Sequence, residues 1–281
     1  MQSKNILITG ASTGIGYASA QAFIKAGYTV YGSVRKQLDA DRLSKELGAS
    51  FHPLLFDVTE HEAIDAVAKE LQSQIGDQGL AGLINNAGIA LGGPLMHIPM
   101  EDLRYQMEVN VIGLVKVTQA FLPLLGAQKD SPFPPGRILN ISSVAGKMAM
   151  PFLGPYVGSK HAVEGISTVM RRELQLYGID VIVIGPGAIK TPIWNKGMDI
   201  NLDVKDYAKP MEIFANKFVR GSIKKGFTAE KLADDILNIF ENPKPKTRYS
   251  IVAEKFTNWV MPRLLPARFV DKYLGKKLKL R

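Results

Sequence analysis

The segment from Asn5 to Gly27 constrains the fold of this chain more than any other. Residues 5–9 (NILIT) are a short apolar run of the kind that forms a strand buried on both faces. GASTGIG follows, with glycines at Gly10, Gly14 and Gly16. An amphipathic helix then carries apolar residues at Ile15, Ala18, Ala22, Phe23 and Ala26 and closes at Gly27. Strand, glycine turn and helix in that order open a β-α-β unit. The glycines let the backbone turn sharply and approach a ligand closely. The N–H groups and positive dipole end of the helix then favour a phosphate. The spacing here is G-x-x-x-G-x-G, not the commoner G-x-G-x-x-G.

The same alternation continues down the chain. Further strands are predicted at 28–34, near 50–56, and at 80–85, 136–141 and 179–184. Helices are predicted at 39–47, 60–75, 100–125 and 155–177. Repeated β-α units with apolar strands imply a doubly wound, Rossmann-type parallel sheet covered by helices on both faces. Ligands of such sheets bind at the carboxyl ends of the strands, and there this chain places its polar and glycine residues: Asp57, Asn85 to Gly88, Ser142–Ser143 and Pro186–Gly187. At 281 residues with no linker, one α/β domain is expected, and the absence of Cys excludes disulfides, thiolate metal sites and a cysteine nucleophile. The four histidines lack metal-ligand spacing, so no metal is expected. Neither a signal peptide nor a membrane span is recognisable, and a cytoplasmic location is expected. Nucleic-acid motifs are absent, so no nucleic-acid partner is expected.

Tyr156 and Lys160 lie four apart in PYVGSKHAVEG, which reads as the start of a helix. That spacing puts both on one face. A free tyrosine has a pKa of about 10; a neighbouring ammonium favours the phenolate and is expected to lower it. A tyrosine tuned toward neutrality is a candidate general acid or base.

Together, TGASTGIG, Asp57-Val58, NNAG at 85–88, NVIG at 110–113, ISS at 141–143, YVGSK at 156–160 and PGAIKT at 186–191 resemble the short-chain dehydrogenase/reductase family. The likeness runs from about residue 4 to about 195 and is nearest to the branch of hydroxysteroid, retinol and related dehydrogenases. It implies a carbonyl–alcohol oxidoreductase that uses a nicotinamide cofactor. It assigns Tyr156 the proton transfer, Ser143 a hydrogen bond to the substrate oxygen, and Lys160 the ribose hydroxyls together with the tuning of Tyr156. Asn110 would hold a water behind Lys160; a helix-interior hydrogen bond to backbone is the alternative. Gly10, Ser12, Thr13, Gly14, Ile15 and Gly16 would cradle the pyrophosphate. Asp57 and Val58 would meet the adenine, and Asn85, Ala87 and Gly88 the ribose region. Pro186, Gly187, Ile189 and Thr191 would surround the carboxamide. Two positions depart from the family pattern: Gly158, and Gly185 where Asn or Glu is usual. Both are expected to be tolerated.

Cofactor preference is decided near the end of the second strand, where an acid selects the 2′-hydroxyl and an arginine accommodates a 2′-phosphate. Here stand Ser33, Arg35 and Lys36, with no acid before Asp39. NADP(H) is therefore expected, with NAD(H) as the alternative and Arg35 as the phosphate contact.

Residues 1–255 are taken as the catalytic domain, with a helical substrate lid at about 192–226. The lid holds Ile193, Trp194, Met198, Met211, Phe214, Phe218 and Val219; Met148, Met150, Phe152 and Leu153 lie just before Tyr156. These residues suit a hydrophobic carbonyl or alcohol of steroid, retinoid or lipid type, and equally a lid core. Residues 256–281 form a basic extension. From Lys255 onward there are eight basic residues and one acid, +7 of the total +9. Its spacing, with Phe269, Val270, Tyr273, Leu274 and Lys277 on one side, fits a helix lying on an anionic membrane, and equally one covering the pocket or a partner subunit. The family resemblance also implies a homodimer or homotetramer. A carrier-linked ketoacyl reductase and a non-catalytic nucleotide-binding scaffold are the competing functions.

Overall fold

The computed structural model describes residues 3–193 and 204–281. Trp194 and Met198 lie outside the described residues. Seven parallel strands form one sheet: β1 (Asn5–Ile8), β2 (Thr29–Val34), β3 (Phe51–Leu55), β4 (Gly82–Asn85), β5 (Arg137–Ile141), β6 (Asp180–Pro186) and β9 (Arg248–Ile251), in the order β3-β2-β1-β4-β5-β6-β9. Two short strands, β7 (Ile189–Lys190) and β8 (Phe227–Thr228), pair apart from it. The strand order reverses between β1 and β4, which makes the crevice above their carboxyl ends the expected binding position.

Both sheet faces are covered because adjacent side chains of β1 point opposite ways. Ile6 and Ile8 pack with Phe23 of α1 (Gly14–Lys25) and with Leu232, Ile236 and Phe240 of the helix Ala229–Glu241. Leu7 packs with Ile64 and Leu71 of α3 (His61–Ile75), and with Phe121. This two-sided burial is why the strands read as apolar runs and not as alternating patterns. The six strands and the helices between them follow the expected spans to within a few residues. The helix expected over 100–125 is interrupted: α4 (Met100–Met107) passes through a π-turn (Glu108–Ile112) into α5 (Gly113–Phe121). Such turns are common at functional sites. The seventh strand was not among the expected elements. It adds to the outer edge of β6, with Gly185 opposite Ser250.

Candidate active site

Helix α6 (Gly154–Glu173) opens with Pro155 in its first turn, where a proline costs no hydrogen bond. One buried face of α6 carries Tyr156, Lys160 and Glu164 at helical spacing, with Ser159 beside them. From the end of β5, Ser143 reaches the same place. Its Oγ accepts from Ala145 N at 3.1 Å, and its hydroxyl lies beside that of Tyr156. Lys160 Nζ donates to the Ile141 carbonyl at 2.8 Å and lies 5.8 Å from the Tyr156 ring centre. The structure thus brings Ser143, Tyr156 and Lys160 together, as expected from their spacing.

The electrostatics correct one expectation. Burial raises the Tyr156 pKa, and the Ser143 hydrogen bond opposes it without reversing it. Burial also drives Lys160 down to about 8, against the pull of Glu164. Desolvation thus acts against the lowering expected from Lys160 and pushes Tyr156 toward the protonated phenol.

Asn110 sits in the π-turn with its side chain fully engaged. Its Oδ1 accepts from Ile89 N at 2.9 Å, and its Nδ2 donates to Ile89 O and Ser159 Oγ, both at 3.0 Å. Ser159 in turn donates to the Tyr156 carbonyl at 2.8 Å. Asn110 therefore fixes the first turn of α6 against the loop after β4. The backbone it holds is that of Ile89 in this loop, not the helix interior.

Around the glycine turn, the chain is shaped for a phosphate. Gly14 has φ +58°, and a Cβ there would meet Thr191 at 3.3 Å. A Cβ on Gly16 would collide with the Gly10 carbonyl and with Asn86 Nδ2. Thr13 precedes α1 without a side-chain cap, and no acid lies in the first turn. The positive end of the helix is thus left for an anion. Ser12, Thr13, Ile15 and Thr191 border this cradle, and Ala87 packs against Gly10. Among the described residues, Ser33 lies beneath it: its buried Oγ accepts from Gly10 N at 3.0 Å, so it shapes the loop. Asp57 Oδ1 is held by Thr59, while Arg35 pairs with Asp57 Oδ2 at 3.5 Å. Arg35 is largely exposed at the mouth. Val58 is buried against Gly113, and Gly88 lies against Asn110. Gly187 N donates to Ile251 O at 2.9 Å, Pro186 ends β6, and Ile189 is buried.

Asn85 departs from its expected ribose contact. Its side chain is buried and donates to Thr118 Oγ1 and Asn140 Oδ1, both at 2.9 Å. Asn140 passes the chain on to Ser167 on α6. The amide nitrogen is spent inside the protein, while the buried Oδ1 has no hydrogen-bond partner among the described residues. The next residue, Asn86, was not singled out, yet its Nδ2 holds the carbonyls of Thr9 and Gly10 at 2.9 and 3.2 Å. Arg42 was also missed; it donates to the Ser12 carbonyl at 2.8 Å from the adjoining helix.

On the other side of Tyr156 lies an apolar cluster of Ala90, Ala145, Phe152, Leu153, Phe214, Val219 and Leu278, edged by Met150, Ile193, Met211 and Phe218. Phe152 holds φ +66°, an uncommon conformation for a bulky residue, and its carbonyl accepts from Gly93 N at 2.7 Å. Leu278 comes from the C-terminal helix Ala267–Leu278, so the extension covers this side of the site.

The pattern of the short chain dehydrogenase family matches residues 4–199. The chain belongs to that family. It is 43% identical over 275 residues to an NADPH-dependent 3-dehydrocapnine reductase of Ornithobacterium rhinotracheale, covering 97% of this chain and 96% of that one. It is 34% identical to a bovine dehydrogenase/reductase SDR family member 9, covering 98% and 88%. A short-chain dehydrogenase structure from Streptomyces avermitilis superposes with TM-score 0.81 at 28% identity, covering 98% and 97%. This short-chain dehydrogenase is accordingly an NAD(P)-dependent oxidoreductase of the carbonyl–alcohol class.

Proposed function

We propose that the chain is an NADP(H)-dependent reductase of a hydrophobic ketone or aldehyde, with Tyr156 as the general acid. The observation that carries this reading is the placing of Tyr156: its phenol is buried beside Ser143 and Lys160 and faces an apolar cluster. A protonated phenol is the form that gives a proton to a carbonyl oxygen, and burial favours that form. Ser143 and Tyr156 offer two donors to one oxygen and stabilise the alkoxide character that grows there. Lys160 would hold the ribose hydroxyls and keep positive charge near the phenol. When bound, the nicotinamide supplies the hydride.

The cradle at Gly10, Gly14 and Gly16 would hold the pyrophosphate, and Arg35 would turn from Asp57 to a 2′-phosphate. Support for NADP(H) also comes from the 43% identical relative, whose name states NADPH dependence. That relative reduces 3-dehydrocapnine, and a related carbonyl compound heads the list of substrates to try. The apolar residues around Tyr156 support a bulky apolar substrate.

The test is turnover of 3-dehydrocapnine, steroid, retinoid and simple ketone panels with NADPH and NADH. Turnover is expected with NADPH, and Tyr156→Phe should lower kcat by about 10²–10⁴ while cofactor binding persists. Wild-type turnover in the Phe variant would remove the proposed acid. Faster reaction with NADH would remove the role given to Arg35.

The C-terminal extension supports a further part of the reading: peripheral contact with an anionic membrane. Val270, Leu274 and Leu278 turn inward, whereas Phe256, Leu264, Phe269 and Tyr273 are exposed among the lysines and arginines. Exposed aromatics beside basic residues suit a lipid interface. No described helix is long and apolar enough to cross a membrane. Co-sedimentation with phosphatidylserine vesicles is expected for the full chain and should weaken several-fold when Phe269 and Tyr273 are changed to Ser. Equal partitioning of the two proteins would sink the idea.

A further inference from the structure

A charged cluster lies directly behind the catalytic residues. Glu164, one turn beyond Lys160, is buried, and its two carboxylate oxygens accept from Arg248 Nε at 3.0 and 2.9 Å. Lys147 Nζ lies 3.5 Å from the same carboxylate. Arg248 stands on the seventh strand. Its Nη1 donates to Ser250 Oγ at 2.5 Å, and its Nη2 approaches the Ser143 carbonyl at 3.5 Å. Its guanidinium stacks on Trp259 at 4.7 Å, and Arg263 stacks on the same indole at 4.6 Å. The guanidinium occupies the space that any side chain at position 185 would need. Gly185 is thus the room in which Arg248 lies.

We propose that Glu164 and Arg248 are a positioning pair for the active site, with Glu164 setting the charge of Lys160, Arg248 holding the Ser143 backbone, and Trp259 clamping the pair from the C-terminal extension. The pair has a physical job. A lysine as deeply buried as Lys160 tends to lose its proton, and a buried carboxylate one helical turn away counteracts that loss. A lone buried carboxylate would itself be costly, and Arg248 compensates it with a charge-assisted hydrogen bond. Cation–π stacking on Trp259 then fixes the guanidinium. The titratable and charged groups facing this place, among the described residues, are Tyr156, Lys160 and Glu164 on α6, Lys147 after β5, Arg248 on β9, and Arg263 across the Trp259 indole.

The inference rests on the acid–base roles proposed above, so its test reads Lys160 directly. In protein labelled with ¹³Cε-lysine, the Lys160 signal is assigned with Lys160→Arg and titrated without substrate. Glu164→Gln removes the negative charge and should move the Lys160 midpoint down by on the order of one pH unit. Arg248→Gln leaves Glu164 uncompensated and should move it up. Arg248→Lys should restore it. The alkaline limb of kcat/KM should follow in the same opposite directions. Damage to packing alone would shift both variants the same way or neither, and either result overturns the proposal. If Arg248→Gln does not fold, Glu164→Gln decides: an unchanged midpoint overturns it. Loss of the Tyr156→Phe phenotype would instead strike the proposed mechanism and leave the Lys160 titration standing.

Discussion

At the scale of single residues, the site is assembled at the expense of stability. Lys160 is buried and its pKa falls to about 8 from 10.5. A basic group whose folded pKa lies below its unfolded value destabilises the fold while it is charged. The cost is full below pH 8 and fades as pH rises from about 8 to 10.5, where the unfolded chain binds the extra proton. Lys160→Met should therefore raise Tm at pH 7, by about 2–4 °C per kcal/mol recovered. The same variant should lose turnover by about 10² or more. Its stability advantage should shrink in melts run at pH 10; an advantage independent of pH would refute the electrostatic origin. Spacing in the sequence was enough to bring Ser143, Tyr156 and Lys160 together. It could not reveal the direction in which Tyr156 is shifted, because desolvation depends on side chains from distant segments. Asn85 illustrates the same limit. Its position at a strand end is legible, but its direction depends on Asn140 and Thr118, which lie far along the chain.

At the scale of elements, the glycine turn and α1 act as one piece. A Cβ on Gly16 would strike the Gly10 carbonyl and Asn86, so Gly16→Ala must push the helix away from the loop. Overpacking of this kind costs about 1–3 kcal/mol. Thermal melts should show the loss, and the NADPH Kd from fluorescence titration should rise about tenfold or more. Unchanged affinity would mean that the cradle tolerates the displacement. Strands β1 to β6 were legible because they are apolar runs between glycine turns. The seventh strand, RYSI, was not, because each of its residues is only half-buried at the sheet edge. The break at Glu108–Ile112 was equally hidden, since a π-turn changes one hydrogen-bond step and leaves the apolar spacing in place.

At the scale of the molecule, the C-terminal extension closes the apolar cluster beside Tyr156. Leu278 is fully buried in the cluster that contains Tyr156. Leu278→Asp should place a carboxylate against that apolar wall. KM for an apolar ketone should rise by roughly tenfold, while the NADPH Kd stays near the wild-type value. A parallel loss of cofactor affinity would show that the helix supports the whole fold and not the pocket alone. The sequence leaves a membrane, the pocket or a partner subunit open as the surface this helix covers, and the inward turn of Val270, Leu274 and Leu278 covers the Tyr156 side without using the basic face. Gly185 carries a different consequence. A Cβ there would meet the tip of the Arg248 guanidinium, so a side chain at position 185 and the Glu164–Arg248 pair compete for one space. A larger residue at 185 would turn the arginine aside and leave the buried Glu164 without its partner.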